Sequence, residues 1–497
     1  MRTWDLGIAL DPDSDLPLFL QISRSITHHI REGRFAPGAA LPGSRTLARA
    51  LDVHRNTVMA AYGELAAEGW VVTEVAGGTF VARDLPTRTL PPPRLDGREP
   101  PARAGFPIAS PLPYDKPPIY GAGTLVLTKG APDVRLLPLA ELTRAYRHAL
   151  LRHGQQLLTY GDPHGHPRLR SALAEMLSTA RGLPVTPDMI VVTRGSQMAL
   201  DLTARALLKP GDVVAVEALG HRPAWNALRL AGALLVPVPV DGAGLRIDGL
   251  AAVAARQRIR ALYVTPHHQF PTTAVMPTAR RLELLAFARA HEIAIIEDDY
   301  DHEFHYEGHP ILPLASSDRA GVVIYVGTLS KILAPGLRIG FVAAPEPVIE
   351  RITSLRVSTD LQGDQSVECA LAELFEEGEL ARHVRRMRRV YQARRDALVA
   401  ALRRYLSGQV QFEVPSGGMA LWARVASPID VDEWALRALS SGVAFRGGRM
   451  YDFRGETQPF TRLGFTFHHE RELEEAVRRM AQALEAVRGE TRASDEL

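Results

Sequence analysis

Between about residues 120 and 380, short apolar runs alternate with stretches of helical spacing, and this alternation limits the possible folds more than any other feature. Met189–Val192, Val213–Val216, Ala261–Val264, Ile293–Ile296 and Val322–Val326 read as buried strands. Segments such as Ser196–Leu208 and Ala279–His291 lie between them with apolar residues at helical intervals. Strands that are apolar throughout are covered on both faces, and strands separated by helices pair in parallel through crossovers. The expected architecture is α/β: a mostly parallel sheet between helices, with ligands beyond the carboxyl ends of its strands.

The chain has 497 residues, too many for one ordinary core, and about three domains are expected. Residues 12–84 form a compact module. Residues 85–119 contain Pro91-Pro92-Pro93, Pro100-Pro101 and Pro117-Pro118 without apolar periodicity, and read as a semi-extended linker. The sheet region spans 120–380. A long amphipathic helix near 381 opens a smaller α+β unit to 490, and 491–497 read as a polar tail. A net charge of +2 provides no global field for nucleic acid or membrane, so DNA binding has to come from a local motif. The single cysteine, Cys369, excludes a disulfide framework and a cysteine-rich zinc site, and reads as a small core residue. Met1–Asp15 is too acidic and polar for a signal peptide, and the apolar runs fall far short of the ~20 residues of a membrane span. A cytoplasmic protein with no membrane partner is expected.

The first module predicts helices over Pro17–Gly33, Ser44–Leu51 and His54–Glu68, with Ser44 as N-cap of the second. Trp70–Thr73 and Thr79–Ala82 then form a hairpin turned at Ala76-Gly77-Gly78. Helix, helix, turn, helix, hairpin is the order of a winged helix-turn-helix. The third helix would present Arg55, Asn56 and Thr57 to base edges, where arginine suits guanine and asparagine adenine. Arg45 and Arg49 stand on the preceding helix, placed for phosphates, and Gly78 lies in the wing. The stretch LPGSRTLARALDVHRNTVMAAYGELAAEGWVVTEVAGGTFVA resembles the winged helix of GntR-type regulators.

Of 58 basic residues only Lys116, Lys129, Lys209 and Lys331 are lysine. Arginine replaces charge but not amine chemistry, because it stays protonated. Context singles out Lys331. In VVIYVGTLSKILAPGLRIGFV a buried strand is followed by Thr328, Ser330 and Lys331, with Arg338 seven residues on. Pyridoxal phosphate chemistry calls for these types: a lysine for the Schiff base, hydroxyls and an arginine for the phosphate. In IAIIEDDYDHEF a buried strand ends at Glu297, Asp298, Asp299 and Tyr300; one acid has to face the pyridine nitrogen, and the pattern leaves open which. In VVTRGSQMALDLTARAL a strand enters Gly195-Ser196-Gln197 and then a helix, whose N-terminal N–H groups favour phosphate.

Together these motifs resemble a fold-type I aminotransferase over roughly 120–490. The resemblance implies Lys331 as the aldimine lysine, Asp298 as the pyridinium partner and Tyr300 as the phenol beside the ring hydroxyl. In YGDPHGHPRLRSALAEML it implies Tyr160 as the tyrosine lent to a neighbouring subunit's phosphate. In TRLGF it implies Arg462 as the grip on a substrate carboxylate. The fusion of the two halves, with EDDYD, GTLSK and HQFPT, resembles the MocR/GabR-type regulators over almost the full chain. That implies a head-to-tail homodimer on a double-stranded DNA operator, sensing an amino compound or pyridoxal phosphate itself. The wording departs from that family in places. Pro271-Thr272-Thr273 replaces PTG, and Leu219-Gly220-His221 replaces PGY, which puts His221 where a tyrosine stacks on the ring. Pro223, beside Arg222, aligns with the extra arginine of GABA-responsive members. Gln269-Phe270 stand where ordinary aminotransferases use an asparagine, which implies weak transamination.

Other features read more plainly. The seven arginines of Arg382–Arg395 suggest a solvated face. His267 and His268 read as structural, with one available to line the site. His468-His469-Glu470 lacks metal spacing, and no metal site is expected. The alternative to a regulator is a working pyridoxal-phosphate aminotransferase with an accessory N-terminal domain; a third reading is a binding shell without a Schiff base.

Overall fold

The computed structural model describes residues 8, 10–11, 14, 16–74, 78–86, 103–108, 118–128, 130–308 and 311–495, with side chains as far as 486. The chain divides into two compact units, 1–116 and 117–497. Most of the proline-rich linker, together with Lys116, Lys129 and the hairpin tip at Ala76 and Gly77, falls outside the described residues.

In the first unit, helices Leu18–Arg31, Ser44–Ala50 and Arg55–Ala67 precede an antiparallel hairpin of Val71–Glu74 and Gly78–Val81. Ile22, Ile26 and Ile30 repeat every fourth residue and so share one helix face. They are buried with Leu47, Val58, Leu65, Trp70 and Val81. The Tyr62 hydroxyl donates to the Pro42 carbonyl at 2.6 Å, tying the third helix to the turn before the second. The expected N-cap is corrected by one residue. Gly43 caps the second helix, and Ser44 is its first helical residue, its hydroxyl accepting from Arg55 Nε at 3.3 Å. His54 caps the third helix instead, accepting the Asn56 N–H at 3.2 Å.

The second unit is built on a seven-stranded sheet. Its order is Ile190–Thr193, Gly340–Ala343, Val323–Thr328, Ala294–Asp299, Ile259–Val264, Val213–Glu217 and Leu234–Val238. All neighbours pair in parallel except Gly340–Ala343, which is antiparallel to both its neighbours. Val191, Val214, Leu262, Ile295 and Val326 are fully buried, and burying each such side chain stabilises by about 1.5–3 kcal/mol. The five strands expected from sequence are present with ends shifted by a residue or more. The chemistry-bearing residues follow from the parallel arrangement, because Glu217, Thr265, Asp298 and Thr328 all stand at the carboxyl ends of adjacent strands.

The C-terminal part opens with the helix Glu379–Tyr405 and packs a three-stranded antiparallel sheet of Val410–Phe412, Ala420–Val425 and Phe460–Gly464. The last helix, Glu470–Asp495, continues through residues read as a polar tail. In the arginine-rich segment Arg382, Arg385, Arg386 and Arg389 are exposed, as a solvated face expects, and the end of the segment is corrected. Arg394 and Arg395 are buried, the first bound to Asp133 at 2.9 Å and the second to Glu307 at 2.8 Å. Cys369 is fully buried, as expected.

Candidate functional site

The strand Ala294–Asp299 separates its three acids by its pleat, since successive side chains point to opposite faces. Glu297 accepts the N–H groups of Leu314 and Ala315 at 2.8 and 3.0 Å, capping a short helix. Asp299 accepts from the Tyr325 hydroxyl at 2.7 Å. Asp298 faces the other way. Its Oδ2 accepts from Tyr263 at 2.8 Å, while its buried Oδ1 has no hydrogen-bond partner among the described residues. Burial pushes Asp298 up to about 6, against the hydrogen bond from Tyr263 and the charge of Lys331, which favour ionisation.

Lys331 follows the neighbouring strand, and its Nζ donates to the Gly130 carbonyl at 2.7 Å. Lys209, by contrast, is exposed at a helix end. His221 lies close enough to Lys331 and Arg462 to feel both charges; burial first, then these cations, pull it down to about 4, so the ring is neutral near pH 7. Tyr300 donates its hydroxyl proton to the His268 carbonyl at 3.0 Å, and burial drives its pKa well above the usual phenol value. It therefore stays a neutral phenol, and its oxygen also lies within hydrogen-bonding reach of Arg462.

Arg462 projects from the strand Phe460–Gly464. It is 3% exposed, its guanidinium carbon sits 4.7 Å from the Phe270 ring centroid, and its Nε has no hydrogen-bond partner among the described residues. A buried, incompletely paired guanidinium is costly alone, and a carboxylate matches its fork. Phe270 also meets His221 at 5.1 Å, Tyr451 at 5.6 Å and Tyr300 at 6.2 Å between ring centroids. Gln269 is consumed elsewhere: its amide donates to the carbonyls of Leu219 and Phe270 and accepts from Thr272.

A second cluster lies at the start of the helix Ser196–Leu207. Gly195 caps it at φ +81°, and a Cβ there would meet the Arg338 guanidinium at 3.2 Å. Arg338 donates to the Arg194 carbonyl at 2.8 Å. The Thr328 hydroxyl accepts the Ser330 N–H at 3.1 Å and donates to Ile339 at 3.2 Å. Gln197 turns away to the Pro223 carbonyl at 2.9 Å. A cavity of about 800 Å³ is lined by Arg338, Gln197, Thr193 and Asp364, without Lys331 or Asp298. Tyr160 is 84% exposed.

These residues fit a pyridoxal phosphate: an arginine and a helix N-terminus for a dianion, an orphaned buried carboxyl oxygen for a ring nitrogen, and an amine nearby. Sequence reasoning missed Tyr263, Glu217 and the Gly130 carbonyl. Only Glu217, an acid ending a buried strand, carried a signal.

In the first unit Arg55 and Asn56 are exposed on the first turn of the third helix, with Thr57 half-buried behind them. Arg45 and Arg49 are exposed on the second helix, and Gly78 is exposed at the start of the wing's second strand, at φ +106°.

The chain matches the aminotransferase class I and II family over residues 124–480 and the gntR family of bacterial regulatory proteins over 18–81. It is 33% identical over 488 residues to the probable rhizopine catabolism regulatory protein MocR of Rhizobium meliloti, covering 97% of this chain and 96% of that protein. The chain belongs to the MocR/GabR-type regulators. It is 32% identical to aromatic-amino-acid aminotransferase 1 of Thermococcus litoralis over 72% of this chain and 87% of that one. Its second unit resembles the crystal structure of LysN, the α-aminoadipate aminotransferase of Thermus thermophilus, complexed with N-(5'-phosphopyridoxyl)-L-leucine. The TM-score is 0.69 at 30% identity, over 74% of this chain and 94% of that one. This MocR-type chain is thus a DNA-binding regulator that combines a winged helix with a fold-type I, pyridoxal-phosphate-binding unit. Among the described residues no helix is long and apolar enough to cross a membrane.

Proposed function

We propose that this regulator holds pyridoxal phosphate covalently through Lys331 and senses an amino compound that carries a carboxylate. The observation that carries the reading is the convergence of Lys331, His221, Tyr300 and Asp298 with the incompletely paired Arg462. When bound, the cofactor supplies an electrophilic carbon that exchanges amines and a protonated ring that withdraws electrons. The chain's own groups do the rest. Arg338 and the N–H groups at Ser196 neutralise the phosphate. Asp298 Oδ1 accepts a proton-bearing ring nitrogen, and Tyr263 keeps that carboxyl oriented. Arg462 would select a carboxylate, and neutral His221 and Phe270 would exclude water from the cofactor's surroundings.

Lys331 is the switch element in this reading. Its amine rests on the Gly130 carbonyl, and a Cβ at Gly130 would come within 3.4 Å of Arg462. An effector that grips Arg462 and frees Lys331 from the cofactor would let the amine take up the Gly130 carbonyl, so both neighbours of Gly130 change at once. From Gly130 the chain runs back through Leu125–Val126 into the linker, so a differential contact there can bias two arrangements of the DNA-binding unit. Pyridoxal phosphate acting as the effector itself uses the same residues. We place the regulator in the cytoplasm as a head-to-tail homodimer in which exposed Tyr160 serves the neighbouring subunit, and on a double-stranded operator through Arg55, Asn56, Thr57, Arg45, Arg49 and Gly78. A working aminotransferase is the second reading, favoured by the identity to the Thermococcus enzyme.

The test is selection of genomic DNA by the full-length, cofactor-loaded protein at physiological salt. A few enriched sites that share a repeated half-site support the regulator. No specific retention, together with rapid turnover on a 2-oxo acid, overturns it in favour of the enzyme.

A further inference from the structure

On the other face of the Asp298 strand lies a cluster that the cofactor site does not use. His267, Asp299 and His302 each offer one ligand atom within 4.8 Å of the others. All three are at least nine-tenths buried. Both nitrogens of His267, both nitrogens of His302 and Oδ1 of Asp299 lack hydrogen-bond partners among the described residues. His302 Nδ1 approaches Asp299 Oδ2 at 3.0 Å without hydrogen-bond alignment, and the two imidazole centroids are 4.3 Å apart. A neutral imidazole carries one donor and one acceptor, and buried polar atoms are almost always satisfied. Three such nitrogens, a fourth held only by Asp299 itself, and a carboxylate oxygen with no partner among the described residues need an explanation.

We infer that His267, Asp299 and His302 form a binding site for a divalent transition-metal ion of the zinc class. Two imidazole nitrogens and one carboxylate oxygen suit zinc, cobalt or nickel, whereas calcium and magnesium demand oxygen shells. Bonds of about 2.0–2.2 Å would draw the three ligand atoms inward by roughly 1 Å, within reach of small side-chain rotations. The carboxylate is supported from behind: the Tyr325 hydroxyl donates to its Oδ2 at 2.7 Å, and the Arg181 guanidinium lies 3.9 Å away. Arg181 is itself engaged by Glu303 and Tyr325, which moderates its repulsion of a cation. Access exists too, because His302 lines a cavity of about 700 Å³ together with Arg181, Glu303 and His305. Three protein ligands leave a fourth position for solvent from that cavity. Asp298 and Asp299 are consecutive, so a cation held by one lies directly behind the acid assigned to the cofactor ring.

The experiment uses the full-length protein, stripped with a chelator, then exposed to Zn²⁺ for stoichiometry by calorimetry and to Co²⁺ for its ligand-field spectrum. The expected result is about one equivalent of metal with tetrahedral-type Co²⁺ bands, and binding weakened by about 100-fold in His267→Gln and in His302→Gln. His305→Gln, which lines the cavity outside the cluster, is expected to bind as the parent does. Metal taken up by the cofactor or by surface histidines survives in His302→Gln, so equal binding by that variant overturns the site. So does the absence of any Zn²⁺ binding by folded wild-type protein. Near-UV circular dichroism checks the fold of each variant; should a glutamine variant unfold, the wild-type Co²⁺ spectrum decides, an octahedral aqua-type spectrum counting against the site.

Discussion

Gly340→Ala tests the close approach of strand and helix at the turn proposed to face the cofactor phosphate. Gly340 begins the one antiparallel strand of the large sheet and passes directly under the start of the helix Ser196–Leu207. A methyl there would stand 2.6 Å from the Gly195 carbonyl carbon, 2.9 Å from its Cα and 2.8 Å from the Ser196 nitrogen. All three are backbone atoms, so no side chain can swing aside. Carbon atoms in contact sit about 3.5–4.0 Å apart, so the strand or the turn has to move by roughly 1 Å. Overpacking of this kind costs about 1–3 kcal/mol. The displaced element carries the N–H groups at Ser196 and the Gly195 backbone that packs on Arg338. If the whole cost falls on the loaded state, affinity for pyridoxal phosphate drops by about 5- to 150-fold; whatever falls on the apoprotein appears as a lower melting temperature. The assay is therefore paired: titration of the apoprotein followed by cofactor absorbance, and thermal unfolding without cofactor. Gly336→Ala is the control, since nothing lies within 4 Å of its Cβ. A Gly340→Ala protein that binds and melts like Gly336→Ala would refute the close approach of strand and turn, and with it the placement of the phosphate.

Gly63 is exposed in the middle of the third helix with open space around its Cβ; Gly63→Ala is expected to stabilise the first unit by about 0.5–1 kcal/mol in thermal unfolding, and a destabilised variant would contradict the helix. Arg55→Ala is expected to weaken specific DNA binding by about 1–3 kcal/mol; equal affinity of both proteins for target and scrambled DNA would remove the third helix from base recognition. Lys331→Ala is expected to abolish the visible absorbance of the cofactor-loaded protein, and an unchanged band would show that another amine holds the cofactor. Asp298 has a folded value of about 6 against about 3.9 unfolded, so its ionisation removes stability as pH rises from about 4 through about 6. Asp298→Asn lacks that loss, so its melting temperature relative to wild type, both without cofactor, is expected to climb across that window; a difference flat in pH would contradict the buried carboxyl.

The features that could be read from sequence are those set by local pattern. Fully apolar runs located five strands of the large sheet because burial on both faces leaves no polar interruption. The helices of the first unit were readable from turns and periodicity, though not from their N-caps. What escaped depends on distant partners. The direction of Gly340–Ala343 follows from a tight return after Arg338, which no propensity encodes. Period-two alternation groups Glu297 with Asp299 against Asp298, yet on a strand buried on both sides it cannot say which group faces a ligand. Arg394 looks like one more solvated arginine until Asp133, 261 residues away in sequence, comes to meet it. His267 and His302 adjoin only because their strands are neighbours in parallel register, which brings the loops after their carboxyl ends together.

The departures from family wording gather in one place, and their geometry supports a site that retains its ligand more than it turns it over. A transaminase needs polar groups that follow the shifting charge of its ring and substrate. Here Gln269, the amide nearest that position in sequence, is spent on the loop carbonyls of Leu219 and Phe270, and the Phe270 ring takes the space beneath Arg462. His221 replaces a tyrosine with a ring kept neutral by burial and by two neighbouring cations. Thr273 adopts φ +62° where the family wording has glycine, a left-handed conformation that costs a β-branched residue on the order of 1–3 kcal/mol. Strain of that size persists only where surrounding contacts fix the loop, and the Thr273 N–H does donate to the Gln269 carbonyl at 2.7 Å. The groups proposed to hold the cofactor are therefore kept, while those proposed to lie beside it trade hydrogen-bonding capacity for a fixed, largely aromatic wall. Such a wall favours occupancy over turnover, which is what a sensor of a bound amine requires.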